Sequence, residues 1–84
     1  MIIKILYTGW IKDKLGTIED KIDIRENIFL ESLIILLSEL STKHKYILEE
    51  TGIIFFSQDG RILSLKDGID SDKPIIVFAP IAGG

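Results

Sequence analysis

The stretch Asn27-Ile28-Phe29-Leu30-Glu31-Ser32-Leu33-Ile34-Ile35-Leu36-Leu37-Ser38-Glu39-Leu40 decides how the rest of the chain is read. It contains neither glycine nor proline, and its apolar residues recur at three- and four-residue intervals over a length too great for one strand. A helix is expected from Ile28 to Leu40. Asn27 is a good N-cap, because its side-chain oxygen can accept from a free amide of the first turn. On a helical wheel Phe29, Leu30, Leu33, Ile34, Leu36, Leu37 and Leu40 form one broad face, with Glu31, Ser32, Ser38 and Glu39 outside it. A face of that width must cover a sheet. Ile28 and Ile35 fall on the polar side, where coverage by a neighbouring segment is expected ahead of a partner contact.

On both sides of this helix the period changes to that of strands. Ile2 to Tyr7 alternates around Lys4, so Ile3, Ile5 and Tyr7 belong to a core, while Ile2, Lys4 and Leu6 share the solvent face. Thr8 to Gly16 has the length of a helical turn stopped by Gly16. Thr17 to Arg25, with Ile18, Ile22 and Ile24, reads as a second strand returning antiparallel to the first. Beyond the helix, Ser41 to Gly52 is expected to form a short second helix. Ile53 to Phe56 and Arg61 to Leu65 are expected to form a hairpin about the Asp59-Gly60 pair. After a turn at Lys66-Asp67-Gly68 and a polar loop from Ile69 to Lys73, Ile75 to Phe78 forms a last strand. Two strands, a long helix, two strands and a final strand is an α+β order, with one main helix packed on one face of a mixed sheet of about five strands. That is the order of a β-grasp, or ubiquitin-like, fold, and residues 1–84 are expected to form one such domain.

The chain ends Ala79-Pro80-Ile81-Ala82-Gly83-Gly84. Pro80 has no N–H to give a ladder, so the sheet should stop there and residues 80–84 should form a flexible tail. That tail is narrow and uncharged. Gly83 and Gly84 lack a Cβ and can enter a channel or lie against another protein more closely than other residues. The carboxylate of Gly84 is the group expected to react. At the root of the tail, alternation turns Ile75 and Val77 inward and Ile76 and Phe78 outward, beside the outward Leu6. Leu6, Ile76 and Phe78 are therefore the expected partner-binding patch.

Composition narrows the chemistry. Eighty-four residues leave room for one core, and 46% hydrophobic against 27% charged is the balance of a folded protein. The net charge of −3 is spread, which argues against a nucleic-acid footprint. The chain has no cysteine, so thiolate catalysis, disulfides and thiolate metal sites are excluded. Met1 to Trp10 carries Lys4 and lacks the apolar region of a signal peptide. No apolar run approaches the roughly eighteen residues of a membrane span. A cytoplasmic protein follows, without membrane or nucleic-acid partners.

Side chains offer no catalytic constellation. His44, the single histidine, sits among lysines away from any obvious acid, and a surface or capping role is expected for it. Glu49-Glu50 and Asp70/Asp72 read as solvated charge with no His or Cys cluster to complete a metal site. Asp59-Gly60 and Asp67-Gly68 are turns, and no phosphate-cradling glycine motif occurs. The chain is expected to be a non-catalytic carrier that binds no cofactor or metal of its own.

Gly16 after a basic turn, the leucine-rich helix, Leu65-Lys66-Asp67-Gly68 and Val77-Phe78-Ala79-Pro80-Ile81-Ala82-Gly83-Gly84 resemble the small subunit of molybdopterin synthase, a ubiquitin-like sulfur carrier. The likeness runs over nearly the whole length and is sharpest in the last eight residues. Ala79-Pro80 stands where that family has paired prolines, and the loop from Ile69 to Lys73 is longer and less acidic than its usual lead-in. The resemblance implies that an activating enzyme of the ubiquitin-activating type adenylates Gly84 with ATP, and that a sulfur donor protein displaces AMP to leave a thiocarboxylate. Pro80, Ile81, Ala82, Gly83 and Gly84 would then insert into the large subunit of the synthase, where sulfur reaches the pterin precursor of the molybdenum cofactor. Three other readings share these residues: a sulfur carrier for the thiazole of thiamine, a ubiquitin-like protein modifier, and an interaction module whose glycine pair is accidental.

Overall fold

The computed structural model describes residues 1–51 and 53–80. Strands β1 (Ile2–Tyr7), β2 (Glu19–Asp23), β3 (Phe55–Gln58), β4 (Arg61–Ile62) and β5 (Ile75–Phe78) form a single mixed sheet in the order β2-β1-β5-β3-β4. The centre of the sheet joins the two ends of the described chain. β1 runs parallel to β5, pairing Ile5 with Ile75, Leu6 with Ile76 and Tyr7 with Val77, and the flanking pairs β1–β2 and β3–β5 are antiparallel. Helices α1 (Gly9–Leu15), α2 (Leu30–Ser38) and α3 (Thr42–Lys45) accompany it, and α3 runs on into a π-helical turn over Tyr46–Glu50. This is the β-grasp expected from the order of elements.

Alternation places the core on one side of the sheet. Ile3, Ile5, Tyr7, Phe56, Ile75 and Val77 are buried in one cluster with Leu30, Leu33 and Leu37 of α2 and Ile11 and Leu15 of α1. Gly16 ends α1 in the left-handed region at φ 75°, and its N–H bonds Lys12 O at 2.9 Å. Asp59 and Gly60 both have positive φ, 53° and 77°, which is what a two-residue hairpin turn with the right twist requires. The turn is as expected, but β3 runs on through Ser57 and Gln58 and β4 is only two residues long. Gln58 is buried. Its Nε2 donates to Asp70 O and Lys73 O at 2.7 and 2.9 Å, and its Oε1 accepts from Asp70 N, so one amide holds the loop that feeds β5.

The main helix is shorter than its apolar run. Asn27 does not cap it: Phe29 stands at the N-cap with extended dihedrals and no side-chain bond. Ile28 and Phe29 are drawn into the sheet-like pairing of the opposite loop, where Ile69 N donates to Ile28 O at 3.0 Å, Leu30 N donates to Asp67 O at 3.0 Å, and Phe29 bridges Gly68. Backbone partners outside the helix have outcompeted a side-chain cap. The buried stripe is accordingly narrow. Leu30, Leu33 and Leu37 are buried and Ile34 packs against them, whereas Phe29, Leu36 and Leu40 are exposed. Ile28 is covered as expected, but Ile35 is not, with 54% of its surface exposed.

Residues Ser41 to Glu50 do form the short second helical segment, in a less regular form; Gly52, its expected stop, lies outside the described residues. His44 has the acid partner that its lysine neighbours conceal in the sequence. The chain turns it inward, where Nε2 lies 2.8 Å from Asp20 Oδ2 on β2 and Nδ1 lies 2.7 Å from Ser41 Oγ. Ser41 also caps α3 by accepting from His44 N. The cap is thus Ser41, and His44 takes neither the surface nor the capping role expected of it: its ring is buried against an acid. The same Asp20 Oδ2 accepts from the Tyr7 hydroxyl at 2.7 Å, so one carboxylate ties β1, β2 and α3 together.

Burial first, then the hydrogen bond to Asp20 and the negative charge beside it, push the Tyr7 phenol well above its ordinary range. In the unfolded chain that phenol ionises near pH 10. Because the folded group holds its proton, the stability that it contributes is complete below about pH 10 and is lost as pH rises beyond it. Urea denaturation across pH should therefore show Tyr7→Phe less stable than the parent at pH 7 by about 1 kcal/mol, with a shallower decline above about pH 10; equal alkaline slopes would contradict this account.

Candidate functional site

β5 reads Ile75-Ile76-Val77-Phe78, and its burial alternates: Ile75 and Val77 are fully buried, Ile76 and Phe78 half-buried on the open face. Pairing extends this outward row in both directions. Leu6 stands opposite Ile76 from β1, and from β3 Phe55 stands opposite Phe78 and Ser57 opposite Ile76. Ile62 on β4 lies opposite Ser57. Directly paired residues share a face, so Leu6, Ile76, Phe78, Phe55 and Ile62 lie on the side of the sheet away from α2. The structure thus brings together Leu6, Ile76 and Phe78, as expected, and adds two residues to them.

Within the patch the rings of Phe55 and Phe78 stack at 26° with centroids 5.6 Å apart, a spacing typical of a favourable aromatic pair. The stack half-buries Phe78 and leaves Phe55 41% exposed, and Ile62 is 57% exposed. These two residues escape a reading by composition because Phe55 and Phe56 are adjacent and chemically alike. The signal lay in the turn. A two-residue Asp59-Gly60 loop fixes Gln58 opposite Arg61 and Ser57 opposite Ile62, and counting back by twos from Ser57 selects Phe55 for the open face.

The patch has a charged margin. Along β1, Lys4 separates Leu6 from Ile2, and the paired residues of β2 are Glu19 opposite Leu6, Lys21 opposite Lys4 and Asp23 opposite Ile2. Among the described residues, Glu19 Oε2 is buried without a hydrogen-bond partner. Where β5 ends, Thr8 fastens it to β1: both its N–H and its Oγ1 bond Val77 O, at 3.2 and 2.9 Å. Ala79 and Pro80 follow outside the ladder, and Pro80 is exposed. Ile81, Ala82, Gly83 and Gly84 lie outside the described residues.

Among the described residues the open face carries apolar side chains and scattered charges, and no nucleophile on it is held by a base. Among the described residues no group of three or more His, Asp or Glu is placed to hold a metal ion, and no helix is long and apolar enough to cross a membrane. This surface can bind and orient.

Comparison with known proteins agrees on the architecture. The small archaeal modifier protein 1 of Haloferax volcanii superposes with a TM-score of 0.82 over the whole of both chains at 12% identity. A Pyrococcus furiosus protein described as subunit 1 of a molybdopterin converting factor superposes with a TM-score of 0.74, over 96% of this chain and 99% of its own, at 20% identity. At these identities the likeness establishes the ubiquitin-like β-grasp fold. No protein-family model matches the chain, and no curated protein sequence does either.

The alternation of β5 makes a sharp prediction about adjacent residues. Val77→Asp places an unpaired carboxylate in a fully buried position and should abolish folding, since that penalty is comparable with the whole stability of a domain, about 5–15 kcal/mol. Phe78→Asp should cost only about 1–3 kcal/mol and leave a cooperative urea transition. A reversed order of severity would place Phe78 in the core.

Proposed function

We propose that this chain is a carrier and docking protein, not a catalyst, and that the group it carries is a sulfur atom on Gly84. The observation that carries the reading is the placement of the open-face patch: Leu6, Ile76, Phe78 and Phe55 gather at the end of the sheet where β5 gives way to Ala79-Pro80. A patch there lets a partner grip the domain while the side-chain-poor sequence Ile81-Ala82-Gly83-Gly84 is delivered into its own active site.

The chemistry is supplied by partners. In the first step the Gly84 carboxylate attacks the α-phosphorus of ATP bound to an adenylating enzyme, forming an acyl-adenylate and releasing pyrophosphate. In the second, hydrosulfide attacks the acyl carbon and AMP leaves with the former carboxylate oxygen; where the donor is a protein persulfide, an acyl disulfide forms first and a thiol then cleaves its S–S bond, ending in a disulfide with the donor. The product is a thiocarboxylate, whose sulfur can add to a carbon of an acceptor that is doubly bonded to a heteroatom, the π electrons moving to that heteroatom; water then cleaves the acyl–sulfur bond of the resulting thioester, leaving sulfur on the acceptor and restoring the Gly84 carboxylate. The resemblance to the molybdopterin synthase small subunit names the acceptor as a pterin precursor held by a large synthase subunit, and the likeness to subunit 1 of a molybdopterin converting factor supports it. A dithiolene contains two sulfurs, so two loaded carriers would be consumed for each product. With neither cysteine nor a phosphate-binding loop, the chain depends on those partners for both sulfur and ATP.

The likeness to a small archaeal modifier protein favours a second reading, in which the activated Gly84 is joined to lysines of other proteins. Both readings share the activating step. They part at the acceptor: conversion of the pterin precursor by a reconstituted synthase supports the carrier, and thiol-resistant covalent adducts support the modifier.

Docking and delivery are separable. Phe78→Asp should weaken binding to the activating enzyme by about thirtyfold, the equivalent of about 2 kcal/mol for a buried aromatic anchor. Deletion of Gly84 should leave that binding within about twofold and abolish sulfur delivery. Unchanged affinity in folded Phe78→Asp would remove the open face from the docking surface.

A further inference from the structure

The helical layer holds a groove that the carrier reading leaves unused. It lies between α1 and the segment from Thr42 through the π-helical turn and has a volume of about 440 Å³, within the range that takes a large side chain or small ligand. Its floor is Ile47, which is 3% exposed; its walls include Trp10, half-buried against the core, and Tyr46, which leaves 63% of its surface in solvent. A π-helical turn fits one more residue per hydrogen-bonded ring than an α-helix. Tyr46 opens that turn and stands at the edge of the concavity.

The charge of the groove is opposite to that of the chain. Lys14 from α1 and Lys43 from α3 line it, both exposed, and neither forms an ion pair among the described residues. Lys12 and Lys45 stand on the same two helices, which between them carry a single acid, Asp13. Glu49 lies further along, outside the lining. A protein of net charge −3 thus presents an apolar, aromatic-walled groove with a locally basic rim. Such a surface attracts apolar groups flanked by negative charge and repels basic ones.

We infer that this groove is a second docking site, and that its occupant is a short acidic segment of a partner protein which inserts one large apolar side chain between Trp10 and Tyr46 with its carboxylates toward Lys14 and Lys43. The groove lies among the helices, so this contact leaves the open sheet face free. One copy of the domain can therefore be held by two partners at once, or by two surfaces of one partner. The inference stands independently of what Gly84 carries.

The test uses the full chain labelled with nitrogen-15, titrated with a phenylalanine-centred heptapeptide flanked by aspartate and glutamate. The same peptide with lysine flanks and ATP without peptide serve as competing probes. The expected result is a shift of the Trp10 indole N–H and of amides from Thr42 to Ile47, with open-face amides unmoved. The shift should weaken as salt is raised. Affinity should fall at least about fivefold in the Lys14→Glu/Lys43→Glu double variant and also in Tyr46→Ala. Both variants alter exposed side chains, and an unchanged amide spectrum elsewhere verifies that they fold. The inference is overturned if millimolar acidic peptide moves no groove signal, or if the lysine-flanked peptide binds equally well. It is also overturned if ATP occupies the groove in preference to the peptide, or if groove signals shift with the chain's own concentration, which would make the occupant a second copy.

Discussion

The parallel pairing of β1 with β5 is the constraint on which the rest of the structure depends. Strands more than sixty residues apart in the chain meet at Ile5–Ile75, Leu6–Ile76 and Tyr7–Val77, and Thr8 closes the pair by bonding Val77 O twice. Parallel neighbours cannot be joined by a tight turn. Everything between them is therefore connection, and its apolar residues must fold back over one face. Loss of the pairing would separate the buried row Ile3, Ile5, Tyr7 from Ile75 and Val77 and leave α2 without a surface to cover.

That pairing also decides what faces outward. Because the period of a strand is two, fixing Ile75 and Val77 in the core fixes Ile76 and Phe78 on the open face, next to Leu6. The same central strand that stabilises the domain thus builds the open-face patch proposed as its docking surface, and then runs directly into Ala79-Pro80. Fold and proposed function share one short segment. This economy suits a carrier, whose domain has only to be recognised while its end is delivered. Hydrogen-bonded polar groups such as Gln58, Asp20 and His44 serve the architecture: the first holds the lead-in to β5, and the others pin α3 to the sheet edge.

Alternation in Ile2 to Tyr7 and Ile75 to Phe78 was legible from sequence, because each strand has one buried and one open face and says so at every residue. Gly16 and Asp59-Gly60 were legible because their positive φ values demand particular residues. The helix was harder to bound. Leu33 to Leu37 is an unbroken apolar run, so nothing local distinguishes Leu33, which is buried, from Leu36, which is not; the backbone of Asp67 and Ile69 decides where the helix begins. The partnership of His44 with Asp20 spans twenty-four residues and left no trace in spacing. Phe55 and Ile62 were recoverable only through the hairpin register.

The central claim is that Gly84 carries sulfur, and it is tested most directly by mass spectrometry of the C-terminal peptide after incubation with an activating enzyme, ATP and a sulfur source. The measurement must be made on the peptide, because oxidation of Met1 adds nearly the same mass to the intact chain. The account predicts replacement of one oxygen by sulfur at Gly84, dependent on ATP. An unmodified C-terminal peptide, with an enzyme shown to be competent on another carrier, would contradict it.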